Sequence, residues 1–125
     1  MSRVDLEGII RVQSFIDCNY GGSITIEQLS KIACMCASKL KYVFKDATGK
    51  TVHQYLTEVR VSKAKCLLAE TDMPVSQVAL LSGYRKAGAF TAVFKKNTGT
   101  KPLDYRKIHS KTAVTEAELN ALKNL

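Results

Sequence analysis

No stretch of this chain approaches the ~18 consecutive apolar residues of a membrane-spanning helix, although 46% of its residues are hydrophobic. A membrane span is excluded and a folded core is not. The opening residues, Met1-Ser2-Arg3-Val4-Asp5, lack the basic patch and apolar stretch of a secretory signal, which makes the cytoplasm the expected compartment. There the four cysteines are expected to remain thiols. Paired carboxylates, a nucleophile with a histidine partner and a glycine-rich phosphate loop are all missing, so neither enzyme activity nor a cofactor is expected. Cys34 and Cys36 stand closer together than zinc spacing normally allows, and His53 and His109 sit on other elements. No metal site is expected, and small buried side chains are the simpler reading of these cysteines.

Acidic residues are also scarce: 11 Asp and Glu stand against 19 Lys and Arg, for a net charge of +8. Such an excess bears on partners rather than fold. Lys39, Lys41, Lys45 and Lys50 meet only Asp46 in their stretch. Arg85, Lys86, Lys95, Lys96, Lys101, Arg106 and Lys107 meet only Asp104. One such run is commonly a solvated surface, but two in corresponding parts of a repeat are the footprint of a polyanion-binding face.

The repeat is explicit. Ile26-Glu27-Gln28-Leu29-Ser30-Lys31-Ile32 returns as Val75-Ser76-Gln77-Val78-Ala79-Leu80-Leu81, offset by 49. Val43-Phe44-Lys45 with Thr48-Gly49 returns as Val93-Phe94-Lys95 with Thr98-Gly99, offset by 50. One residue has therefore been gained within the second copy.

Hydrophobic spacing predicts helices throughout and no strand. Leu6, Ile9, Ile10, Phe15 and Ile16 form the stripe of a first helix that ends at Gly21-Gly22. Thr25 with Gln28 and Thr51 with Gln54 have capping-box spacing, opening helices over about 26–34 and from 52 onward. Between them, about 37–48 buries Leu40, Val43 and Phe44 and stops at Gly49, a residue suited to the left-handed C-cap. The long helix turns Val52, Tyr55, Leu56, Val59, Ala64, Leu67 and Leu68 inward. Pro74 suits the start of a fifth helix ending at Gly83, a sixth over about 86–98 buries Phe90, Val93 and Phe94, and Pro102 starts a seventh holding Leu103 and Tyr105. Residues 112–125 carry only a weak stripe, Ala117, Leu119 and Leu122, which fits a helix, a partner contact or a disordered end.

The pairs 26–34 with 37–48 and 75–82 with 86–98 have the short connectors of helix-turn-helix motifs. A helix of about 20 residues between them spans about 30 Å, close to the ~34 Å turn of B-DNA. Two recognition helices entering successive major grooves fit that arithmetic, whereas a generic bundle requires neither this repeat nor this charge placement.

From Ile9 to Lys107 the chain resembles the AraC/XylS family of bacterial transcription regulators. The resemblance is carried by Tyr55-Leu56, Arg60-Val61, Ala64-Lys65 and Leu67-Leu68, and then by Thr71-Asp72, Val75-Ser76-Gln77-Val78-Ala79, Gly83-Tyr84, Phe90, Val93-Phe94-Lys95-Lys96, Thr98-Gly99, Pro102 and Tyr105-Arg106. It implies an all-α, seven-helix DNA-binding unit with two helix-turn-helix subdomains, 1–50 and 72–109, a linker helix over 51–71 and a tail over 110–125. It also implies a promoter-binding activator that touches RNA polymerase, acting in the bacterial cytoplasm and on the nucleoid when bound. The fragment is expected to be monomeric, with dimerisation expected if an N-terminal domain precedes it.

Carried over by position, the resemblance implies base-facing Ser38, Lys39, Lys41 and Tyr42 in the first motif and Lys86, Ala87, Gly88 and Thr91 in the second. It implies phosphate contacts by Lys45, Lys50, Thr51, Arg85, Lys95, Lys96 and Lys101. Phe44, Tyr55, Phe90, Phe94 and Tyr105 are expected as core anchors, and Arg60 in a structural ion pair, with Glu58 or Asp72 as candidate partners. The chain departs from the family where Cys34 replaces the usual turn glycine and Cys36 the usual capping serine, loosening that helix start by up to about 1 kcal/mol. Arg85 stands where a capping serine is common, and Ala92 removes an arginine found in many relatives. The first motif is therefore expected to do more of the base reading and the second to grip phosphates and thymine methyls. A protein-interaction module with weak DNA contact is the competing expectation, kept open by the sparse second recognition helix.

Overall fold

The computed structural model describes residues 2–110; apart from Ser110, the tail expected over 110–125 lies outside them. Among the described residues the chain forms α1 (Arg3–Asn19), α2 (Ile26–Ala33), α3 (Ala37–Thr48), α4 (Val52–Glu70), α5 (Val75–Leu81), α6 (Ala87–Thr98) and α7 (Pro102–His109), with no strand. These helices divide into two compact units, one ending at Val61 and the other beginning at Ser62.

In the first unit the caps expected from sequence are formed. The Thr25 hydroxyl accepts from the Gln28 amide at 3.2 Å while the Gln28 side chain accepts from the Thr25 amide at 3.0 Å. Thr51 and Gln54 make the same reciprocal pair at the start of α4. The core is Ile9, Val12, Ile16, Leu29, Ala33, Leu40, Val43 and Phe44, each large side chain contributing ~1.5–3 kcal/mol on burial. The stripe on α1 is therefore corrected: Leu6 and Ile10 are 44% and 58% exposed, and Val12 is buried in their place. Gly8 lets α1 approach α2 closely, since a Cβ there would lie 3.0 Å from the Ala33 carbonyl oxygen. Tyr55 meets Phe44 edge-on, with 5.6 Å between ring centroids, and its hydroxyl donates to Asp17 at 3.0 Å, tying α4 to α1. Arg60 is structural: Nε donates to the Tyr20 carbonyl at 2.8 Å and an Nη to that of Gly22 at 3.0 Å, securing a loop about 40 residues back.

The second unit repeats this construction. Ala64, Leu68, Val78, Ala79, Phe90 and Phe94 are buried. Phe94 meets Tyr105 edge-on at 5.5 Å, fifty positions on from the Phe44–Tyr55 pair. Thr98 closes α6 by donating to the Phe94 carbonyl at 2.7 Å, as Thr48 closes α3 on Phe44 at 2.7 Å. Gly49 and Gly99 follow with φ of 77° and 76°, the left-handed conformation only glycine adopts freely. Arg106 secures the approach to α5 with bonds to the Leu68 and Met73 carbonyls at 3.1 and 2.5 Å. Leu103, expected inside α7, is 58% exposed.

Candidate nucleic-acid interface

Each unit presents a helix, a tight turn and a second helix whose buried face leaves an outer face free. On α3, burial of Leu40, Val43 and Phe44 turns Ser38, Lys39, Lys41, Tyr42 and Lys45 outward, all of them exposed and Tyr42 at 74%. On α6, burial of Phe90 and Phe94 leaves Ala87 and Gly88 exposed. Arg85, Lys86, Lys95, Lys96 and Lys101 are also exposed. Thr91 is half-buried, and its hydroxyl donates to the Ala87 carbonyl at 2.9 Å.

The two turns share one hydrogen-bond pattern. The Cys34 amide donates to the Lys31 carbonyl at 3.2 Å and that of Met35 to Ser30 at 3.0 Å. Forty-nine positions on, Gly83 donates to Leu80 at 3.1 Å and Tyr84 to Ala79 at 2.8 Å. The gained residue follows, because the N-caps are Cys36 and Lys86. Arg85 thus does not hold the capping position expected for it; it lies one residue before it. Neither cap makes a side-chain hydrogen bond. Cys34 and Cys36 are exposed, which overturns their expected burial: in this turn it is Met35, between them, that packs against the core.

The cations are not equivalent. Lys39 pairs with Asp5 at 3.3 Å and Lys50 with Glu58. Lys41 and Lys45 have no ion-pair or hydrogen-bond partner among the described residues. They border a hollow of about 890 Å³ in the first unit, walled by Ile26, Tyr42 and Val52, with Thr51 and His53 on its α4 side and Ser38 and Asp46 on α3. His53 is a member of this face that sequence reasoning passed over; its place two residues after the cap at Thr51 was the available signal.

A family model described as a helix-turn-helix domain matches residues 29–108. The chain belongs to the AraC-type helix-turn-helix family. Among AraC-type relatives, it is 31% identical over 104 residues to the probable transcriptional regulator LumQ of Photobacterium leiognathi, covering 83% of this chain and 42% of LumQ. It superposes on the C-terminal domain of AraT, a response regulator from Geobacillus stearothermophilus, with a TM-score of 0.83 and 26% identity, over 92% of this chain and 95% of that domain. The DNA-binding domain of the global transcriptional factor AdpA, solved in complex with a target DNA, gives a TM-score of 0.76 and 27% identity over 80% of this chain and 90% of that one. This AraC-type chain spans less than half the length of the curated relatives it matches.

Proposed function

We propose that this chain is the sequence-specific duplex-DNA-binding part of a transcription regulator, and that α3 and α6 each enter a major groove. The observation that carries this reading is the repeated helix-turn-helix geometry, with cations on the outer face of its first copy that have no partner among the described residues. The AdpA domain, similar in fold and sequence, was solved with its target DNA. In this reading Ser38, Lys39, Lys41 and Tyr42 face bases, with Lys86, Ala87, Gly88 and Thr91 as their sparser counterparts. Lys45, Lys50, Thr51, Arg85, Lys95, Lys96 and Lys101 hold phosphates, for which Lys50 must leave or share Glu58. The chain acts in the bacterial cytoplasm as a monomeric module without enzymatic activity, and RNA polymerase is its second partner.

Selection of bound duplexes from a random DNA pool, at two salt concentrations, tests this. Two enriched blocks about one helical turn apart are expected if both motifs read bases. A single block leaves the second motif as a phosphate grip. No enrichment overturns sequence-specific binding and favours the protein-interaction module, the reading that the apolar Ala87-Gly88 surface and the engaged Thr91 hydroxyl keep in play.

A further inference from the structure

The hollow between α3 and the start of α4 has features that a duplex-facing surface does not require. Its walls are apolar, from Ile26 on α2 and Val52 on α4, and the Tyr42 ring stands over it 74% exposed. That ring makes no ring contact or hydrogen bond among the described residues. Around this apolar floor stand Lys41, Lys45 and His53, none with an ion-pair partner among the described residues, against one carboxylate, Asp46. The volume, about 890 Å³, falls in the range of about 300–1,000 Å³ that holds small organic ligands in sites of mostly apolar lining with few polar groups.

We infer that this hollow is a binding site for a small aromatic carboxylate, and that its occupancy excludes duplex DNA from the first unit. The ring of the ligand lies against Ile26 and Val52 with Tyr42 over it, an arrangement aromatic pairs favour. Its carboxylate meets Lys41 and Lys45 at the rim. Charge complementarity selects an anion over a neutral ring. Exclusion follows because Lys41, Tyr42 and Lys45 are the same groups that face DNA; this half of the inference rests on the function proposed above, and the binding half does not.

The test uses naphthalene-2-carboxylate as probe and its uncharged amide as control, read first without DNA by amide shift changes in the full chain. Saturable shifts confined to the surroundings of Ile26, Tyr42, Val52 and His53 are expected. Binding should weaken about fivefold for the amide and for each of Tyr42→Ala and Lys45→Gln, exposed positions whose loss leaves the core intact. Shifts that fail to saturate, that centre on α1, or that are equal for acid and amide overturn the site. A second arm adds the acid to the chain bound to a selected duplex: release in proportion to occupancy is expected, and simultaneous binding of both overturns the exclusion. Failure to retain any duplex before the probe is added removes both the exclusion and the proposed function, while the shifts still decide the site.

Discussion

Cys34 holds in the first helix-turn-helix the backbone position that Gly83 holds in the second. Cys34 sits at φ 56° and ψ 42°, the one non-glycine residue with positive φ among the described residues, and Gly83 at φ 95°. A side chain in the left-handed region crowds the following carbonyl at a cost of roughly 1–2 kcal/mol, which glycine avoids at the expense of greater freedom when unfolded. Cys34→Gly should therefore raise stability by about 0.5–1 kcal/mol, and Cys34→Val should lower it. Urea midpoints with an unchanged slope check this; a Cys34→Gly chain no more stable than the parent would show that the turn carries no such strain.

Cys36 offers a second gain at the same turn. It is the N-cap of α3 at φ −71° and ψ 160°, with no side-chain cap bond, and this extended backbone suits a serine hydroxyl accepting from an amide in the first turn. Cys36→Ser should add about 1 kcal/mol. Slower hydrogen exchange at Ser38 and Lys39 would locate the gain in the cap.

Tyr55 should ionise well above the ordinary phenol range. Burial first, and then the hydrogen bond and negative charge of Asp17, push its phenol from 10.0 up to about 12. The folded state therefore holds this proton more tightly than the unfolded chain. The resulting contribution to stability is full below pH 10 and is lost as pH rises from 10 to about 12. Absorbance titration should show one late phenol that Tyr55→Phe removes, and stability should fall less steeply over that window in the variant.

Arg106 and Arg60 are the long-range ties, each serving two carbonyls more than 30 residues back. A lysine cannot reproduce a planar fork. Arg106→Lys should cost about 1–3 kcal/mol, the range for hydrogen bonds made by a charged group. Hydrogen exchange should rise in α5 and leave α2 unchanged; equal loosening of both helices would contradict a tie confined to the second unit.

These ties also mark the boundary of what the sequence could reveal. Helix α3 was legible to the residue, and both capping boxes were visible, because a cap or a stripe involves neighbours three or four positions apart. The Phe44–Tyr55 and Phe94–Tyr105 pairs were legible as anchors because the repeat restated them. The Arg60 bonds to the Tyr20 and Gly22 carbonyls were not legible, because these lie about 40 residues away and backbone groups leave no side-chain signature. On α1 the sequence points Ile10 inward and passes over Val12, because several stripes fit its mixed composition and only contact with α2 and α3 selects one. The exposed cysteines have a related reason: residue type suggests burial, while the turn gives its core-facing place to Met35 between them. His53 reads from sequence only as a candidate metal ligand, and its place on this face emerges where α4 begins beside Lys41 and Lys45.

The two recognition surfaces should fail differently when mutated. Lys41 has no ion-pair partner among the described residues and Tyr42 is exposed on α3, so both have side-chain groups to offer to base edges. On α6, Ala87 and Gly88 offer none, and the Thr91 proton is already donated to the Ala87 carbonyl. What remains there is methyl contact with thymine, the Lys86 ammonium at the helix start and the charge of Lys95 and Lys96. Lys41→Ala or Tyr42→Ala should relax sequence preference, with about 1–3 kcal/mol less discrimination at the bases concerned. Lys95→Ala and Lys96→Ala should weaken specific and random duplexes alike, lowering the log–log salt slope by about 0.9 for each phosphate contact removed. Binding isotherms of the four variants on both kinds of duplex, across a salt series, separate these outcomes. Equal loss on specific and random DNA for both pairs would sink the division of labour, because the polar groups on α3 would then be gripping the backbone as those on α6 do.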